Sequence, residues 1–221
     1  MNARALRFVI VGVVAVLAIG GKMTASRGDK GGNGGNFLQH KLTPEVRAAG
    51  LTFRGVSAAD QQWVLAAIAQ ARPEAQQLIG AVDGFVTINT ASVPGVPWVG
   101  VAEQNSDNIV LNTAWLDGER AIDRNIVVLH ELDHVIDFVL ADDALVAQLD
   151  AGIPDAGTCN GPVDGIGACT AIPERFADTF AKWALRGRFS LAGSGYGIPT
   201  PPSLEDWGMP LSRLAAQLDA Q

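Results

Sequence analysis

The chain lacks what a nucleic-acid partner would need. Lys and Arg number 16 against 23 Asp and Glu, the formal charge is −7, and no basic run interleaved with aromatics occurs. A phosphate backbone would be repelled by such a surface rather than attracted to it. Cysteine is scarce as well, with Cys159 and Cys169 alone, which leaves no cysteine-only zinc site. The apolar run at 8–21 is only fourteen residues long, short of the about 20 that span a bilayer comfortably. No internal repeat is visible, histidine occurs three times and tyrosine once. What remains, a 48% hydrophobic chain of 221 residues, has enough apolar side chains to bury a single core and is not disordered by composition.

The first residues carry Arg4 and Arg7, then the uncharged run 8–21, then Lys22 and the small residues Thr24, Ala25 and Ser26. That layout is an export signal, so 1–26 is expected to be a signal peptide or an uncleaved N-terminal anchor. No cysteine follows the run, which argues against lipid attachment. Export implies a secreted or cell-surface protein and an oxidising compartment, where Cys159 and Cys169 are expected to close one small disulfide loop within a Gly- and Pro-rich stretch. Residues 27–36 are too glycine-rich to order themselves and read as a linker, with the Arg27-Gly28-Asp29 triplet as ordinary solvated residues inside it. The folded domain is expected over 37–221, as a monomer that touches a membrane only through an uncleaved leader.

Apolar residues at helical spacing over 58–79 (Trp63, Ala67, Ile68, Ala71, Leu78) predict one helix, with Ser57 or Asp60 near its start as a cap. Three short β-type runs follow at 84–89, 98–102 and 108–112, separated by turn residues, and predict a small sheet. Residues 123–140 then read as a long helix that is apolar almost all round (Ile126, Val127, Leu129, Val135, Ile136, Val139), hence buried and central. Pro173 stands where another helix can begin, with Phe176, Ala177, Phe180, Ala181 and Ala184 on one face. A last short helix is expected over 211–218. The class is α+β.

Inside the central helix lies His130-Glu131-Leu132-Asp133-His134. Histidines four apart project from the same helix face one turn apart and can share one ion, while Glu131 falls beside that ion and can take a proton from an activated water. In a buried helix, two histidines and a glutamate without such a role would be costly unsatisfied polar groups. A catalytic zinc takes three protein ligands and leaves a position for water. The metzincin arrangement would need Gly at 137 and His at 140, where this chain has Asp137 and Leu140. The third ligand is therefore expected from a later carboxylate, Glu174, with Asp178 one turn on able to accept the outer N–H of a ligating histidine. His40 reads as structural.

The runs His-Glu-Leu-Asp-His-Val-Ile-Asp at 130–137 and Glu-Arg-Phe-Ala-Asp-Thr-Phe at 174–180 resemble the gluzincin metallopeptidases, nearest the group resembling the anthrax lethal factor catalytic domain. The resemblance spans about 60 residues, and its motifs are specific only jointly. It implies a zincin-like domain, a small sheet packed on the central helix with a following ligand helix. It further implies one Zn²⁺ on His130, His134 and Glu174, with Glu131 as the general base. Asp137, three after the second histidine, and Asp178 match acidic positions behind the ligands in that group. Some relatives use a tyrosine to donate to the oxyanion, a part Tyr196 could take from its glycine-flanked loop. Asp133 departs from the pattern, which prefers an uncharged or small residue there. The expected activity is a secreted endopeptidase, rather than an exopeptidase, acting on a protein or peptide substrate laid along an edge strand of the small sheet, expected to be 108–112. The competing readings are a non-enzymatic secreted zinc-binding domain and a zinc hydrolase of a non-protein amide.

Overall fold

Pro73 divides what the apolar spacing over 58–79 presents as one helix. It has no N–H to continue the ladder, and it drives Arg72 into an extended conformation (φ −62°, ψ 153°). Helix α1 (Ala58–Gln70) therefore stops, and α2 (Pro73–Ala81) starts with the proline in its first turn. Of the two cap candidates, Ser57 caps α1, its hydroxyl accepting from the Asp60 N–H at 3.1 Å.

The computed structural model describes residues 45–48, 50–82, 84–96, 98–103, 108–116, 123–155, 171–188 and 197–220. The expected leader 1–26, the linker 27–36, the disulfide pair Cys159 and Cys169, His40 and Tyr196 lie outside them. All described elements belong to one compact unit, Pro44–Gln221.

Two strands not anticipated from sequence, β1 (Glu45–Ala48) and β2 (Leu51–Arg54), form a hairpin turning at Gly50, whose φ of 78° suits glycine. With β3 (Thr87–Ala91), β4 (Gly100–Glu103) and β5 (Asn108–Asn112) they make a five-stranded mixed sheet in the order β1-β2-β3-β5-β4. The β1–β2 and β4–β5 pairs are antiparallel, and β2–β3 and β3–β5 are parallel. This order corrects one expectation. The strand 108–112 is interior, because β3 pairs along one side of it and β4 adds to the other, so among the described residues the sheet edge beside the site is β4.

After β5 come α3 (Thr113–Leu116), α4 (Arg124–Val139), α5 (Asp143–Ala151), α6 (Ile172–Ala184), α7 (Leu204–Trp207) and α8 (Met209–Asp219). The coarse class is thus α+β as expected, with a small mixed sheet and eight helices among the described residues; α3, α5 and α7 were not foreseen. Helix α4 is capped by Asp123, whose carboxylate accepts from the Asn125 N–H at 2.9 Å. Every residue from Ile126 to Asp137 is buried, and the helix packs against α1, α6 and β4. Among the described residues no helix is long and apolar enough to cross a membrane.

Three polar devices hold the pieces that bring the site together. Asn112, fully buried, accepts from the Val93 and Ala114 N–H groups and donates to the Val93 and Trp98 carbonyls, fastening the segment that leads into β4. Arg175 donates to Asp150 at 2.7 Å and to the Ile153 carbonyl at 2.8 Å, locking α6 against the end of α5. Arg72 pairs with Glu205 at 2.6 Å and lies over the Trp183 ring at 4.6 Å, tying α2 and α7 to α6.

Candidate metal centre

Helices α4 and α6 bring the three expected ligands together. His130 and His134 project from successive turns of α4, their rings edge-to-face with centroids 4.8 Å apart. Glu174, in the first turn of α6, reaches both: Oε2 is 3.1 Å from His130 Nε2 and Oε1 is 3.6 Å from His134 Nε2. One donor atom from each residue lies within 4.8 Å of the others. Nitrogen and oxygen ligands at their usual distances from one tetrahedral ion stand about 3.3 Å apart, and the two observed separations bracket that value. Two imidazoles and one carboxylate converging this way, both histidines buried and Glu174 partly open, could hold a metal ion.

Burial and charge set the protonation of the group. For His130, burial alone acts downward, but the hydrogen bond with Glu174 and the negative charges of Glu174, Glu131 and Asp178 carry it above its ordinary 6.5. For His134 burial wins over the attraction of Glu174, and its pKa falls to about 4. The two histidines therefore differ: burial favours the neutral form of His134, and Glu174 favours the charged form of His130.

Glu131 lies outside this triad, as its place in the motif requires. Its side chain is buried, and burial, reinforced by the charge of Glu174, raises its pKa to about 8 against the opposing pull of His130 and a hydrogen bond from the Ala102 N–H. Strand β4 passes so close to this side chain that only glycine fits at position 100 without displacement: a Cβ there would come within 2.7 Å of Glu131 Cγ and Cδ.

No family model, curated protein or solved structure matches the chain. The reading of this centre therefore rests on its own geometry.

The supporting residues are arranged less simply than their spacing suggests. Asp178 is buried beside the triad, close enough for its charge to raise His130, and its carboxylate is ion-paired with Lys182 Nζ at 2.5 Å. Lys182 is itself 1% exposed and donates to the Ile198 carbonyl. Asp133 does not face solvent. It is fully buried, neither oxygen has a hydrogen-bond partner among the described residues, and burial together with the charge of Asp137 raises its pKa well above the carboxylate range. Protonated, it adds no charge between the histidines. Asp137 is buried one turn further on.

Sequence reasoning missed Gly100, Ala102 and Lys182. Gly100 carried a usable signal, since glycine inside a strand often marks a close approach. Lys182 carried a weaker one, four residues after Asp178 on a helix.

Proposed function

We propose that this protein is an exported zinc metallopeptidase of the gluzincin type, an endopeptidase acting on extended peptide chains. The reading rests on one observation, the convergence of His130, His134 and Glu174 from two helices onto a point beside the buried carboxylate of Glu131. The donor set of two nitrogens and one carboxylate oxygen suits Zn²⁺ and leaves a position for water. When bound, the ion supplies Lewis acidity, polarising a carbonyl and bringing the pKa of water toward 7.

The chain's own residues do the rest. His130, His134 and Glu174 would hold the ion, and the buried Asp178, paired with Lys182, adds negative charge behind His130, while the charge of Asp137 acts on Asp133. Glu131 takes the proton from the attacking water as the new C–O bond forms, and returns it to the nitrogen as the C–N bond breaks. Burial makes Glu131 a better proton acceptor than a surface glutamate. Tyr196 is a candidate donor to the oxyanion.

The substrate strand pairs with β4. Asn112 donates its N–H to the Val99 carbonyl across the β4–β5 ladder at 2.8 Å, and alternation along an antiparallel pair then turns the N–H and C=O groups of Gly100 and Ala102 away from β5, toward the open edge. An extended peptide added there runs past Glu131.

The deciding experiment is Glu131→Gln. It is expected to retain one zinc per chain and to cleave no peptide of a diverse library that the wild type cleaves. An active Glu131→Gln variant would sink the assignment.

A further inference from the structure

We infer that Gly100 is a positioning residue for Glu131: the missing side chain at this one place on the edge strand gives the carboxylate its seat, at the corner where the buried face of β4 meets its open edge. The inference builds on the metallopeptidase reading, since it is Glu131's part as base that makes its seat matter.

Nothing in the backbone asks for glycine at position 100. Gly50, Gly55, Gly84, Gly95, Gly187 and Gly197 have positive φ and suit glycine on that account, whereas Gly100 does not. Glycine also weakens a strand, which makes its presence in a four-residue strand a cost to be explained. The contact on the other side explains it. A Cβ on residue 100 would stand within 2.7 Å of both Cγ and Cδ of Glu131 and closer still to Oε1. Two consecutive carbons are in the way, so rotating the carboxylate alone does not relieve the clash.

The position is also the right one on the strand. Gly100 and Ala102 share the face of β4 that turns toward α4, opposite the buried Leu111 and Ile109 of β5. They are also the two β4 residues whose main-chain groups face the open edge. The Ala102 N–H already reaches Glu131, which leaves the Gly100 N–H and C=O and the Ala102 C=O, unpartnered among the described residues, to pair with an incoming peptide. A peptide paired at Gly100 therefore lies beside the base. The strand that aligns the substrate is the strand that seats Glu131, so the two are positioned by the same few atoms.

Substituting Gly100→Ala tests this. Restoring ordinary contact to the new methyl needs a displacement of about 1 Å, and a misplacement of that size costs on the order of 10²-fold in rate. Crystal structures of wild type and Gly100→Ala are expected to show the Glu131 carboxylate moved by about 1 Å with β4 in place. The variant's kcat is expected to fall about 10²-fold while KM and zinc affinity hold. An unmoved carboxylate over a withdrawn β4, or an unchanged kcat, overturns the inference. If Gly100→Ala does not fold, Gly100→Ala/Glu131→Ala decides: with the glutamate removed, the added methyl is expected to cost nothing, and the double variant to melt with Glu131→Ala. A double variant that also fails to fold overturns the inference. Should the wild type cleave no peptide, the metallopeptidase reading falls while the crystallographic displacement still judges the seat.

Discussion

Lys182→Met removes the ammonium from the most deeply buried ion pair described in the chain. Both partners are 1% exposed, the Nζ–Oδ2 distance is 2.5 Å, and the ammonium also serves the Ile198 carbonyl. Methionine keeps the volume and leaves the Asp178 carboxylate and the Ile198 carbonyl without their cation. Breaking a buried pair by deleting one partner costs about 3–5 kcal/mol, because the surviving charge stays desolvated. A domain of this size loses about 2–4 °C per kcal/mol, so Tm is expected to fall by about 6–20 °C. Thermal unfolding followed by circular dichroism measures it, and urea titration checks that the loss lies in the midpoint and not in the slope. Lys182→Met/Asp178→Leu removes both charges and is expected to regain most of the loss, since an apolar pair of similar volume often matches a buried ion pair. The reasoning is refuted if the single substitution costs under about 1 kcal/mol, or if the double variant is no more stable than the single.

Glu174→Gln keeps the shape of the third ligand and removes its charge, and is expected to weaken zinc binding by about 10²-fold or more; titration against a competing chelator reads this, and unchanged affinity would remove Glu174 from the site. On the zinc reading, binding removes whatever proton His130 carries, so affinity is expected to fall as pH drops below the raised pKa of His130; calorimetry in buffers of differing ionisation heat should find proton release on binding in mildly acidic buffer, and its absence would contradict the raised pKa. Glu131 has a folded pKa of about 8 against an ordinary 4.5, so its proton stabilises the fold fully below about 4.5 and that contribution is lost as pH rises through 8. In zinc-free protein the Tm advantage of Glu131→Gln over wild type should therefore widen between pH 5 and pH 8.5, and a gap that stays constant would show the carboxylate to be solvated.

Short-range pattern made much of this legible. The buried helix α4 and the His130-Glu131-His134 spacing could be read from the chain because a 3.6-residue period dictates which side chains share a face. The start of α6 at Pro173 was legible for the same kind of reason, since proline fixes φ and has no N–H to leave unpaired in a first helical turn. The break at Pro73 obeys the same chemistry and was overridden by an apolar spacing that runs on across it. Strands β1 and β2 escaped notice because Glu45, Arg47 and Arg54 interrupt their apolar residues, whereas the equally short β4 stands out between turn residues.

Which strand lies at the edge is not a local property. It depends on β3 pairing alongside β5 across 16 intervening residues, Thr87 with Asn108 through Ala91 with Asn112, and on β4 adding to the far side. The burial of Asp133, the pairing of Lys182 with Ile198, and the approach of Gly100 to Glu131 are likewise consequences of how α4, α6 and β4 pack. The sequence alone determined the chemistry on offer, two imidazoles and a carboxylate on one helix and another carboxylate 40 residues later, because spacing along a helix is set by bonded geometry. Only the tertiary structure decided that Glu174 meets the histidines within 3.6 Å and that a glycine makes room for the base, because contacts between elements arise from packing the whole core at once.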